Sequence, residues 1–68
     1  MIATIQAPNT TAMKRGLFKA MMMGVECESY ADDTFSITVH DQSRADDIAN
    51  AASGKIIAVV DKMPIYPY

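Results

Sequence analysis

The clearest pattern in the chain is VECESYADDTFSITVH, which occupies residues 25–40. Small or apolar residues alternate with polar ones through its first six positions and, more strictly, through its last seven, where Phe35, Ile37 and Val39 share one face. Alternation with a period of two is typical of a strand with one face buried and the other in water. The intervening ADD has the length and composition of a turn. The pattern predicts an antiparallel β-hairpin.

The residues before the hairpin predict one strand followed by one helix. Residues 1–7 are rich in β-branched side chains, and a proline ends this strand. Residues 11–23 consist of amino acids that tolerate a helix, with the exception of Gly16. The helix can be capped by Asn9 or by one of the two threonines after it, and Gly24 stands where a helix often ends.

The residues after the hairpin predict a second helix and a fourth strand. A stripe of small and apolar residues recurs at helical spacing and should be buried; it comprises Ala45, Ile48, Ala49 and Ala52. Asp41 or Ser43 can cap this helix, and Gly54 ends it. Residues 55–60, KIIAVV, predict a strand with both faces covered or paired against an apolar neighbour. Two prolines exclude a central strand over residues 64–68, which should form a tail or an edge.

The order strand, helix, strand, strand, helix, strand predicts an α+β domain over residues 1–63 with a short tail over 64–68. It matches the ferredoxin-like βαββαβ plan, in which a four-stranded antiparallel sheet has two helices packed on one face. Right-handed crossovers place the first and third strands in the centre. The rival is an α+β fold in which the final strand pairs differently. A chain of 68 residues leaves no room for a second domain.

Charge is unevenly distributed, although the net charge is only −2. Residues 1–24 carry three bases and no acid, whereas residues 25–54 carry seven acids and one base. A near-balanced net charge argues against general attraction to nucleic acid. A single cysteine, Cys27, excludes an internal disulfide and suits a reducing compartment. With no long apolar run and no basic leader, we expect a cytoplasmic protein.

Few residues are candidates for catalysis or metal binding. His40 followed by Asp41 is half of a general-base arrangement, but nothing nearby supplies the rest, and a solvent-facing strand residue before a turn is the favoured explanation. Cys27 alternates with Glu26 and Glu28, so it should point to the buried face and pack as a small apolar residue. The acids lack the spacing of a calcium loop, and the glycines form no phosphate-binding loop. We therefore expect no enzymatic activity, no cofactor and no bound metal.

RNA-binding domains use the same plan and present aromatic side chains on the open face of the sheet, within a basic surround. Here the expected open face carries mainly threonines and serine from the third strand, and Tyr30 beside Glu26 and Glu28 from the second. Those carboxylates would repel a phosphate backbone. RNA binding through the sheet is therefore disfavoured, and three bases on the first helix give only a small phosphate footprint.

One candidate surface for a partner is the first helix. A stripe that should face the sheet comprises Met13, Leu17, Ala20 and Met21. Phe18 and Met22 lie outside this stripe, beside Lys14, Arg15 and Lys19. A large aromatic side chain and a methionine ringed by bases are typical of a contact patch. In the alternative, the helix is rolled so that Phe18 packs at the edge of the core.

The other candidate surface is the acidic hairpin, which comprises Glu26, Glu28, Tyr30, Asp32 and Asp33. Ordinary solvation explains these charges, and acids on an edge strand also discourage aggregation. As a functional surface, they would compete for a basic groove on another protein, such as one that normally holds nucleic acid. Tyr66 and Tyr68 could complete this interface or fold back as a clamp.

Three functions follow as hypotheses. The first is a non-enzymatic binding protein that occupies a surface of a larger protein. A virus or mobile element could encode such a protein to inhibit a nucleic-acid-processing protein of its host. The second is a homo-oligomeric structural or small-ligand-binding domain, because a small domain gains stability from self-association. The third is a small nucleic-acid-binding protein, whose affinity would fall steeply with salt.

Overall fold

A computed structural model describes residues 1–60 of the chain. Six elements follow one another in the predicted order: β1 (Ile2–Gln6), α1 (Thr10–Met22), β2 (Glu26–Ser29), β3 (Thr34–Thr38), α2 (Gln42–Ala51) and β4 (Lys55–Val60). The predicted tail at 64–68 and the last residues of the predicted domain, 61–63, lie outside the described residues.

The four strands form one sheet in the order β2-β3-β1-β4, and every neighbouring pair is antiparallel. β1 and β3 are therefore the central strands, as predicted from the handedness of the crossovers. Because β4 pairs with β1, the rival pairing of the last strand is excluded. The α+β, ferredoxin-like fold class is confirmed.

The core lies between the sheet and the two helices. Phe35 and Ile37 of β3, Ile5 of β1 and Ile48 of α2 are its largest fully buried side chains. The predicted stripe of α2 is buried along its whole length, which confirms the helical spacing read from the sequence; it comprises Ala45, Ile48, Ala49 and Ala52. Three of these four residues are alanines, so α2 lies close to both α1 and the sheet.

Both helices begin at capping residues that were among the predicted ones. Asn9 Oδ1 accepts a hydrogen bond of 2.8 Å from the Ala12 amide at the start of α1. Asp41 Oδ1 accepts one of 2.9 Å from the Arg44 amide at the start of α2. After α1, Gly24 has a φ of +70°, a backbone conformation that favours glycine, which confirms its place at the end of this helix.

The prediction for the buried side of α1 is wrong at Met21, whose side chain is 69% exposed. Gly16, treated as an exception in the sequence, faces the core instead, next to Phe35 and Ala52. The buried residues of α1 are Ala12, Met13, Gly16 and Ala20. This line of mostly small residues lets the helix approach the sheet and α2 closely, and it turns Met21 towards solvent.

β4 meets one of the two environments predicted for it. The apolar run was predicted to have both faces covered or to pair with an apolar neighbour; β4 pairs with β1 and Ile56 packs against the core, but the strand is not covered on both faces. Ile57, Val59 and Val60 are each about half exposed. The reason is its place in the sheet, since an edge strand has a neighbour on one side only.

Candidate binding surfaces

The solvent side of α1 carries three large apolar side chains. Phe18 is 62% exposed, Met21 69% and Met22 71%. They stand at positions i, i+3 and i+4, which lie next to one another on a helix. Three exposed bases surround them: Lys14, Arg15 and Lys19. These six residues are called the α1 face below.

The α1 face carries no acid, because none occurs between Thr10 and Met22. With Phe18 this far out of the core, the alternative in which α1 is rolled to pack Phe18 at the core edge is wrong. The structure therefore places Phe18 and Met22 together on the exposed surface and adds Met21 to them. The sequence contains a signal that Met21 is exposed. Gly16 marks the side of the helix that approaches the core closely, and Met21 does not lie on that side.

The open face of the sheet brings together Glu26, Glu28 and Tyr30. The register places Glu26 beside Thr38 and Glu28 beside Ser36 on β3. These side chains line a shallow depression of about 170 Å³ on the face opposite the helices. Three of the predicted site residues thus share one surface.

Tyr30 contacts the open face through its hydroxyl group. Ser36 Oγ donates a hydrogen bond of 3.3 Å to Tyr30 Oη. Ser36 is only 6% exposed, although it lies on the face of the sheet opposite α1 and α2. Tyr30 itself remains 64% exposed, so one side of its ring is available to a partner.

Asp32 and Asp33 belong to a different part of the surface. The Asp33 carbonyl accepts a hydrogen bond of 2.7 Å from the Ala7 amide, and its carboxylate accepts one of 2.9 Å from Thr34 Oγ1. Asp33 lines a second depression, of about 440 Å³, together with Lys55 and Gly54. Asp32 is exposed in the turn. The acidic hairpin is thus not one continuous surface.

Cys27 and His40 lie where the sequence predicts. Cys27 is half-buried and packs against the core, and His40 is exposed just beyond β3. Within residues 1–60, no three or more His, Cys, Asp and Glu side chains are grouped so that they could hold a metal ion. Neither helix of this part of the chain has the length and apolar character needed to cross a bilayer.

The apolar run of β4 predicts burial when it is read alone, although the predicted strand order, with the first and third strands in the centre, places β4 at an edge. Within residues 1–60 no strand pairs with its outer side. Comparison of the chain with protein-family models, with curated proteins and with solved structures finds no significant match.

Proposed function

We propose that this chain is a non-enzymatic binding protein that occupies a surface of a larger protein through the α1 face. The observation that carries the proposal is the exposure of Phe18, Met21 and Met22, each above 60%, on one side of a single helix. Large apolar side chains that adjoin one another in water are typical of protein contact sites.

An amphipathic helix commonly binds by placing residues i, i+3 and i+4 into an apolar groove, and Phe18, Met21 and Met22 have this spacing. Methionine side chains adapt to irregular apolar surfaces, while the phenylalanine ring supplies a rigid anchor. Burying a phenylalanine side chain contributes about 1.5–3 kcal/mol. Phe18 is therefore the residue expected to contribute most to binding.

The charges of the α1 face define the partner further. Lys14, Arg15 and Lys19 surround the apolar side chains, and no acid offsets them within α1. Opposite charges at the rim of an interface accelerate association and exclude partners of like charge. The partner should thus offer an apolar groove with an acidic rim.

The test compares the double variant Phe18→Ala/Met22→Ala with Asn50→Ala, a substitution on the exposed side of α2. Each protein is immobilised and exposed to an extract of the cells that produce the chain. We expect one protein to be retained by the wild type and by Asn50→Ala, and lost with the double variant. With that partner purified, Phe18→Ala alone should raise Kd about 30-fold, which corresponds to about 2 kcal/mol. Equal retention by all three proteins would exclude the α1 face.

A second candidate surface is the open face, because Glu26, Glu28 and Tyr30 line the same depression there. This surface would suit a basic groove, and filling such a groove on a nucleic-acid-processing protein would inhibit it, as a virus- or mobile-element-encoded inhibitor does. Reversing both charges, Glu26→Lys/Glu28→Lys, decides between the surfaces. Binding through the α1 face predicts an unchanged Kd, whereas binding through the open face predicts loss of the complex.

A further inference from the structure

β4 forms one edge of the sheet. It pairs with β1 on one side, and no other strand of residues 1–60 pairs with its outer side. An edge strand carries backbone N–H and C=O groups that are free to pair with a strand of another molecule. The outer side of β4 is therefore a potential site of strand addition.

The side chains of β4 favour such pairing. Lys55 is its only charged residue, and the five residues that follow it are apolar. Ile57, Val59 and Val60 are each about half exposed. The register with β1 shifts so that Ile57 has no partner there. Proteins usually protect an edge with charged residues, proline or a β-bulge. Positions 56–60 contain no charge and no proline, so the irregularity at Ile57 is the one such feature within this stretch.

The opposite edge of the sheet is different. β2 has four residues, and two of them, Glu26 and Glu28, are exposed carboxylates. If two copies paired antiparallel through β2, these like charges would lie opposite or next to one another, which is unfavourable. Of the two edges, only β4 is suited to pairing with a copy of itself.

We propose that two copies of the chain associate through β4, antiparallel across a two-fold axis near Ala58, to form one continuous eight-stranded sheet. The backbone N–H and C=O groups on the outer side of β4 in one copy pair with those of β4 in the other. A two-fold interface requires this arrangement, because both copies contribute the same surface. The two Lys55 side chains then lie at opposite ends of the pair, about 20 Å apart at 3.3 Å per residue. That separation exceeds the screening length of about 8 Å at physiological salt, so they do not oppose pairing.

A second copy suits this edge for a further reason. A domain of this length buries a smaller fraction of its surface than a larger domain does, roughly 60%, and gains from self-association. Pairing through β4 would also leave the α1 face free, because α1 packs on one face of the sheet and not at its β4 edge. The inference is thus independent of the proposed function.

The test uses charge at Ala58, which is exposed and lies opposite Thr4 on the open face. Sedimentation equilibrium should show the wild-type chain approaching twice its mass of 7.4 kDa as concentration rises. In Ala58→Lys and in Ala58→Glu, like charges meet at the axis, and each should raise the dimer dissociation constant up to about fivefold. An equal mixture of the two variants should restore the dimer, because opposite charges then meet.

Two controls separate this interface from others. Asn50→Lys adds the same charge on α2 and should leave the dimer unchanged, as should Phe18→Ala on the α1 face. Hydrogen exchange of the wild type gives a check without substitution, since the β4 amides should exchange more slowly as concentration rises.

A wild-type chain that stays monomeric up to millimolar concentration would overturn the proposal and leave β4 to another occupant, such as residues 61–68. A dimer that survives Ala58→Lys, or that dissociates with Phe18→Ala, would overturn it in favour of another interface. A mixture of the Lys and Glu variants that remains monomeric would also refute pairing near Ala58.

Discussion

Gly16 of α1 lies directly against Phe35 of β3, so that a methyl group added to Gly16 would be 2.7 Å from Cζ of Phe35. The same methyl group would be 2.6 Å from Cβ of Ala52, at the end of α2. Phe35 and Ala52 are both fully buried. The absence of a side chain at position 16 thus lets α1 contact the sheet and α2 at one point, and it sets which side of α1 faces solvent.

Gly16→Ala should lower the free energy of unfolding by about 1 kcal/mol. Alanine favours the helix by about 1 kcal/mol over glycine, but overpacking of a buried contact costs about 1–3 kcal/mol. Neither buried neighbour can move without displacing the core, so the cost should exceed the gain. Urea unfolding measures the difference. The matched control is Thr11→Ala on the exposed side of α1, which should be neutral or slightly stabilising. A Gly16→Ala variant more stable than the wild type would contradict the close packing.

The cap of α1 gives a second prediction. Asn9 Oδ1 accepts from the Ala12 amide at 2.8 Å, an amide with no partner within the helix. Asn9→Ala should therefore reduce the free energy of unfolding by about 1 kcal/mol. Asn50→Ala, the same substitution inside α2, should stabilise the protein slightly because alanine is the better helix former. Equal effects of the two substitutions in thermal unfolding would contradict the capping role.

The comparison of α1 with α2 shows why the sequence predicts one helix better than the other. In α2 the buried positions hold alanines and an isoleucine, and a stripe at helical spacing identifies them. In α1 large apolar residues occupy both sides, and the stripe chosen at helical spacing placed Met21 in the core. The buried side instead carries Ala12, Gly16 and Ala20, which recur every four residues, and the close contact with Phe35 decides that this side is buried.

The candidate surfaces, like the helices, could be predicted from the sequence only in part. Phe18 and Met22 were identified because they lie outside the stripe that was expected to face the sheet, and both are exposed. The separation of Asp33 from Glu26 and Glu28 could not be predicted, since it depends on the hydrogen bond that ties the Asp33 carbonyl to Ala7. The edge position of β4 follows from the predicted strand order, in which β1 and β3 are central, whereas the apolar composition of β4 alone predicts burial.

Tyr30 and Ser36 should stabilise the open face together. Ser36 is 6% exposed, and its Oγ donates to Tyr30 Oη at 3.3 Å. Tyr30→Phe removes the acceptor and leaves the serine hydroxyl poorly hydrated, which should cost about 1 kcal/mol. Ser36→Ala in that background removes the unsatisfied group and should recover most of the loss. Urea unfolding of the wild type, both single variants and the double variant measures the coupling, expected at about 0.5–1 kcal/mol. Strictly additive effects would mean that Tyr30 covers Ser36 without bonding to it, and that its ring is free to turn towards a partner on the open face.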